Sequence, residues 1–187
     1  MQTSNILIVD DEKSVLESIK RAFMDDPYDV HIAQNAEDGM RLLSAIKMKV
    51  VISDEMMPGM SGADFLAKVS SNFPRVIRIM LTGHASLASA VKAINKGEIY
   101  RFFTKPWDDF ELRFAVKTAI EKFDLEEENS RLLETVKKQA LNLKLIEKEF
   151  PGITQLEYDA NGRILISDFP DEEIDQIVRK LEKEYGS

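Results

Sequence analysis

Cysteine is absent from this chain of 187 residues, and histidine occurs only twice, as His31 and His84. The first absence excludes disulfides, thiol nucleophiles and cysteine metal sites. The second leaves nothing from which a histidine-rich metal centre could be built in the latter half of the chain. No apolar run approaches the roughly 18–20 residues needed to span a bilayer. The opening "MQTSNILIVDD" has neither the basic start nor the cleavage site of a signal peptide, so a cytoplasmic protein is expected. Positive charge is scarce towards the end. Residues 151–187 hold nine acids against four bases, a net of −5 out of −8 for the whole chain. A duplex-binding module needs the opposite sign, because phosphate neutralisation supplies most of its affinity, so no direct contact with nucleic acid is expected. Internal repeats and low-complexity tracts are also absent.

What is present suits a globular protein: 44% hydrophobic and 31% charged residues. Apolar runs alternate with helical patterns. Ile6–Val9, "YDVHIA", "KVVIS", "VIRIML" and "IYRFF" read as strands, and Glu12–Met24, Ala36–Ile46, Ala63–Val69 and Leu87–Ile94 as helices between them. Five short strands separated by helices predict repeated βαβ units and a parallel sheet covered on both faces. In such sheets function lies at the carboxyl ends of the strands. Those ends carry Asp10-Asp11, Asp54, Thr82 and Lys105.

A second region begins at Asp108, with no proline before Pro151. Leu125, Asn129, Leu132, Val136, Gln139, Leu143, Ile146 and Phe150 recur at alternating steps of four and three, the pattern of a coiled-coil seam. Asn129 falls where a buried amide fixes register in a parallel dimer. The alternative is a single amphipathic helix lying on its own domain. A third region opens at "FPG". "ITQLEYDANGRILIS" alternates around Asn161-Gly162, which predicts a hairpin, and Ile174, Ile177, Val178 and Leu181 predict a short helix after it. A hairpin and one helix bury little surface alone, so this acidic piece is expected to pack on the long helix, on a twin or on a protein partner. The expected organisation is therefore 1–122, 123–150 and 151–187, and the ending "LEKEYGS" reads as that of a complete short protein.

Asp10, Asp11 and Asp54 would meet at one sheet edge, where like charges repel. A shared proton or a hard divalent cation would relieve them, and oxygen-only ligands suit Mg²⁺. A carboxylate can attack phosphorus to give an acyl phosphate. A lysine ammonium and a hydroxyl, here Lys105 and Thr82, can then meet the transferring oxygens. Taken singly, a strand-end aspartate is more often a helix cap.

Four blocks in order, "ILIVDDE", "VVISDEMMPGMSG", "IMLTGHAS" and "YRFFTKPW", resemble the receiver domain of two-component response regulators over residues 4–122. The resemblance implies a flavodoxin-like doubly wound sheet and a histidine kinase or phosphotransfer partner that charges Asp54. It further implies Mg²⁺ held by Asp11, Asp54 and the Met56 carbonyl, with Asp10 acting through a coordinated water. Lys105 would contact the phosphoryl group, across a cis bond to Pro106. Thr82 and Phe102 would form the switch, although Phe102 also reads as plain core. Met56 and His84 occupy positions that, by the resemblance, tune phosphoryl lifetime; His84 reads more readily as solvent-facing, and His31 as structural. The block "GEIYRFFTKPW" before a long helix is similar to receivers that precede HD-GYP phosphodiesterases, but the two histidines cannot build that metal centre. The expected function is a phosphorylation-controlled dimer that signals through protein contacts, without an output enzyme. The alternative is a phosphate relay or sink.

Overall fold

Each apolar run forms its strand, and three of the five end at least one residue later than the runs suggest. The computed structural model describes residues 3–83, 99–149, 157–158, 164–165 and 179. The elements are β1 (Ser4–Val9), α1 (Lys13–Ala22), β2 (Tyr28–Ala33), α2 (Ala36–Ala45), β3 (Val50–Asp54) and α3 (Gly62–Asn72). They continue with β4 (Ile77–Thr82), β5 (Arg101–Thr104), α4 (Asp109–Glu149), β6 (Glu157–Tyr158) and β7 (Ile164–Leu165). Helix Leu87–Ile94, His84, the Asn161-Gly162 turn and the helix through Ile174 fall outside the described residues.

Strands β1 to β5 form one parallel sheet in the order β2-β1-β3-β4-β5. The chain moves outward from β1 to β2 and then crosses back to β3. The direction therefore reverses between β1 and β3, and a crevice opens at their carboxyl ends. Alternate side chains feed two cores. Ile6, Ile8, Val50, Ile52, Ile79 and Leu81 face Leu16 and Ile19 of α1 and Leu112, Val116 and Phe123 of α4. Leu7, Val9, Val51 and Met80 face Leu43 of α2 and Phe65, Leu66 and Val69 of α3. Both faces are dry, which is why these strands read as unbroken aliphatic runs.

Helix starts follow local chemistry. Asn35 accepts from the Asp38 N–H at 2.8 Å, and Ser61 from the Asp64 N–H at 3.1 Å, each satisfying a donor of the first turn. Asp108 does the same for α4, accepting from the Glu111 N–H at 2.9 Å.

The chain divides into two compact units, residues 1–132 and 133–187. Within the first, α4 is fastened at the sheet edge opposite the crevice. Lys49, just before β3, pairs with Asp124 at 2.6 Å, and Lys47 pairs with Glu127. Their ammonium groups lie 5.7 Å (Lys47) and 6.0 Å (Lys49) from the centroid of the buried Phe123 ring. Leu125, Asn129, Leu132, Val136, Gln139 and Leu143 of the predicted seam are exposed along α4, whereas Ile146 is half-buried. In the second unit β6 and β7 pair antiparallel, Glu157 with Leu165 and Tyr158 with Ile164, as the hairpin pattern predicts. Among the described residues no helix is long and apolar enough to cross a membrane.

Candidate functional site

Strand register assembles the site before any side chain is considered. Val9 lies opposite Ser53, which brings the following residues, Asp10 and Asp54, side by side. Asp54 lies opposite Leu81, so Thr82 comes next along the edge, and Thr82 lies opposite Thr104, which precedes Lys105. Backbone bonds fix these exits: Asp10 N–H to the Ala33 carbonyl at 3.2 Å, Glu55 N–H to Leu81 at 2.9 Å and Lys105 N–H to Thr82 at 2.8 Å.

Lys105 joins the acids. Its Nζ lies 2.6 Å from Asp54 Oδ1 and 2.9 Å from Asp10 Oδ2. Asp10 Oδ1 accepts from the Glu12 N–H at 2.9 Å, and Asp54 Oδ2 from the Met56 N–H at 2.8 Å. Repulsion between the two carboxylates is thus relieved by a lysine from β5's far end, a partner the aliphatic-to-acid boundary of β1 does not itself disclose. The bond from Lys105 to Pro106 is cis, in agreement with the resemblance. Trp107, two residues on, packs partly on the α1 and α4 core and donates its indole N–H to Asp109 at 3.1 Å.

Burial pushes the Asp10 carboxyl above its ordinary value, and the Asp54 charge adds to the rise. The Lys105 ammonium and the Glu12 N–H pull the other way without cancelling it. Burial pulls the Lys105 ammonium down, but its bonds to Asp54 and Asp10 outweigh that and leave it raised.

The remaining candidates are distributed unevenly. Asp11 is exposed and has no side-chain partner among the described residues. Met56 projects to solvent at 70% exposure, while Met57 is core. Phe102 is half-buried against the α2 and α3 core. His31 bonds Asn5 Oδ1 at 3.2 Å, a structural role. Thr82 is buried at the strand end, but its hydroxyl is shared between Glu55 Oε2 and the Gly83 carbonyl at 3.0 Å. Sequence reasoning missed Glu55, which is buried. The signal lies in the register, which sets the residue after Asp54 beside the residue after Leu81. Gly62 closes the loop: its N–H reaches the Glu55 carbonyl at 2.8 Å, and a Cβ there would lie 1.8 Å from the Asp54 carbonyl oxygen. Gly59, at φ +82°, turns the chain in the left-handed region.

Among the described residues no three histidine, aspartate or glutamate side chains form a metal cage. The donors are all oxygens, and two carboxylates already converge on one cation. That set fits a hard ion that keeps most of its waters and takes few protein ligands.

The response regulator receiver domain family matches residues 6–117, and the chain belongs to that family. It is 29% identical over 154 residues to the hydrogenase transcriptional regulatory protein HoxA of Bradyrhizobium diazoefficiens, across 82% of this chain and 32% of that one. It is 30% identical over 148 residues to the response regulator protein TmoT of Ectopseudomonas mendocina, across 79% and 67% respectively. A solved receiver domain of an HD domain-containing protein from Pseudomonas fluorescens Pf-5 superposes with a TM-score of 0.65 at 38% identity, across 68% of this chain and 94% of that one. The chain spans about a third or less of the first curated relatives it matches.

Proposed function

We propose that this receiver takes a phosphoryl group on Asp54 from a phosphohistidine of a kinase or phosphotransfer protein. An Asp54 carboxylate oxygen attacks phosphorus, the P–N bond breaks, and the imidazole leaves with the electron pair and gains a proton from solvent. The observation that carries the reading is the Lys105 ammonium held on both Asp54 and Asp10. It stands where negative charge collects on the transferring oxygens, inside a partly dry edge. Asp11, Asp54 and the Met56 carbonyl, with Asp10 through water, are the residues that would hold Mg²⁺. When bound, the ion neutralises phosphoryl charge.

Residues 1–122 form the phosphorylated part in this reading, 123–150 a dimerising helix and 151–187 a docking piece for a protein partner. The exposed leucines and valine of the seam support self-association. One similar receiver comes from an HD domain-containing protein. With both histidines at or before His84, no such metal centre is proposed within these residues.

Intact-mass measurement after incubation with acetyl phosphate and Mg²⁺ tests the acceptor. The unmodified sequence gains one phosphoryl group, and Asp54→Ala gains none. A retained gain in Asp54→Ala, or an undiminished gain in chelator, overturns the reading.

A further inference from the structure

We infer that Glu55 is a positioning residue that withholds the Thr82 hydroxyl from the phosphoryl site, so that phosphorylation of Asp54 must win this donor from a competing carboxylate. The inference rests on the reading of Asp54 as phosphoacceptor. A threonine hydroxyl carries one proton. Among the described residues the acceptors in its reach are Glu55 Oε2 and the Gly83 carbonyl, and neither belongs to Asp54. Both Asp54 oxygens are occupied, Oδ1 by Lys105 and Oδ2 by the Met56 N–H.

Glu55 cannot retreat cheaply. Its backbone is tied to β4 through Leu81 at 2.9 Å and to the start of α3 through Gly62 at 2.8 Å. Its side chain is buried, and Thr82 is its hydrogen-bond donor there. Removing the donor leaves that carboxylate, in a dry place, without a hydrogen-bond donor among the described residues, which is costly. A phosphoryl group on Asp54 therefore draws Thr82 only by offering more than Glu55 does. A hydrogen bond to a charged acceptor corresponds to about tenfold or more in an equilibrium. Glu55 thus sets a threshold: it keeps Thr82 at rest when Asp54 is bare and sharpens the contrast when it is not.

The test is calorimetric titration with beryllofluoride in Mg²⁺, a non-covalent phosphoryl mimic that needs no kinase. Glu55→Ala is expected to bind it about tenfold more tightly than the unmodified sequence, because no hydrogen bond need be broken first. Glu55→Gln, which keeps an uncharged acceptor, gives an intermediate gain. In a Thr82→Val background the Glu55→Ala change has no effect, since the contested proton is gone. Weaker or unchanged binding by Glu55→Ala, with thermal melts showing the variant folded, overturns the inference. So does a gain that persists with Thr82→Val. Absence of binding by the unmodified sequence, or equal binding by Asp54→Ala, sinks the phosphoacceptor reading instead, so the two failures are distinct.

Discussion

Gly62 and Asp10 illustrate how single residues set the site. At Gly62 the backbone passes so near the Asp54 carbonyl that any Cβ must displace the strand end. Gly62→Ala is expected to destabilise the fold by about 1–3 kcal/mol, as overpacking does, and to slow phosphoryl uptake, both read by denaturant titration and intact mass. Asp10 obeys a different balance. Its carboxyl binds a proton more tightly in the folded chain than in the unfolded one. As pH rises from the ordinary carboxyl value through the folded value, the unfolded chain has already released that proton while the folded chain still holds it. Stability from this group therefore falls across that window and stays low at neutral pH. Asn cannot be deprotonated, so Asp10→Asn is expected to melt at a higher temperature than the parent at pH 7 in chelator. The difference should vanish well below the ordinary carboxyl range. A lower melting temperature at pH 7 would show that the Lys105 pair outweighs burial.

Elements explain which parts of the molecule could be read in advance. β1 and β3 announce themselves because both faces are dry, and the first acid after each run marks the edge where chemistry sits. Asp10 and Asp54 were legible for that reason, and Thr82 and Lys105 as the ends of the fourth and fifth runs on the same edge. Glu55 was not, since an acid in a turn between Asp54 and Met56 reads as solvent-facing. The β3–β4 pairing and the loop closed at Gly62 fix its backbone where the side chain is buried against Thr82. The fastening of α4 was equally illegible: Lys47 and Lys49 are far in sequence from Phe123, and helical spacing says nothing about which helix returns to which edge. Its energetics separate clearly. Lys47→Ala and Lys49→Ala remove exposed or half-exposed pairs and are expected to cost about 0.2–1 kcal/mol each, less in high salt. Phe123→Ala empties a buried ring site and is expected to cost about 3–5 kcal/mol. Urea titrations at low and high ionic strength measure both; a larger loss from either lysine than from Phe123 would reverse the assignment.

At the scale of the whole chain, the exposed stripe of α4 bears on assembly. Leu132 and Val136 are each more than half exposed along α4. If that stripe is a dimer seam, Leu132→Glu with Val136→Glu should halve the mass measured by light scattering while leaving phosphoryl uptake intact. A mass equal to one chain in the unmodified sequence, with and without acetyl phosphate, would remove the seam reading. Helix α4 runs unbroken from Asp109 to Glu149, so the division expected near residue 122 leaves no trace in the local backbone. That boundary marks the extent of the receiver resemblance, and the last receiver helix was expected to continue past it, as α4 does.

Trp107 is the sole indole in the sequence, and it stands two positions beyond Lys105 and just ahead of α4. Its emission therefore comes from one known place, with no other indole to subtract. Any event that shifts the lysine or the root of the helix is visible to a fluorimeter without a dye or tag, and stopped-flow mixing can time it.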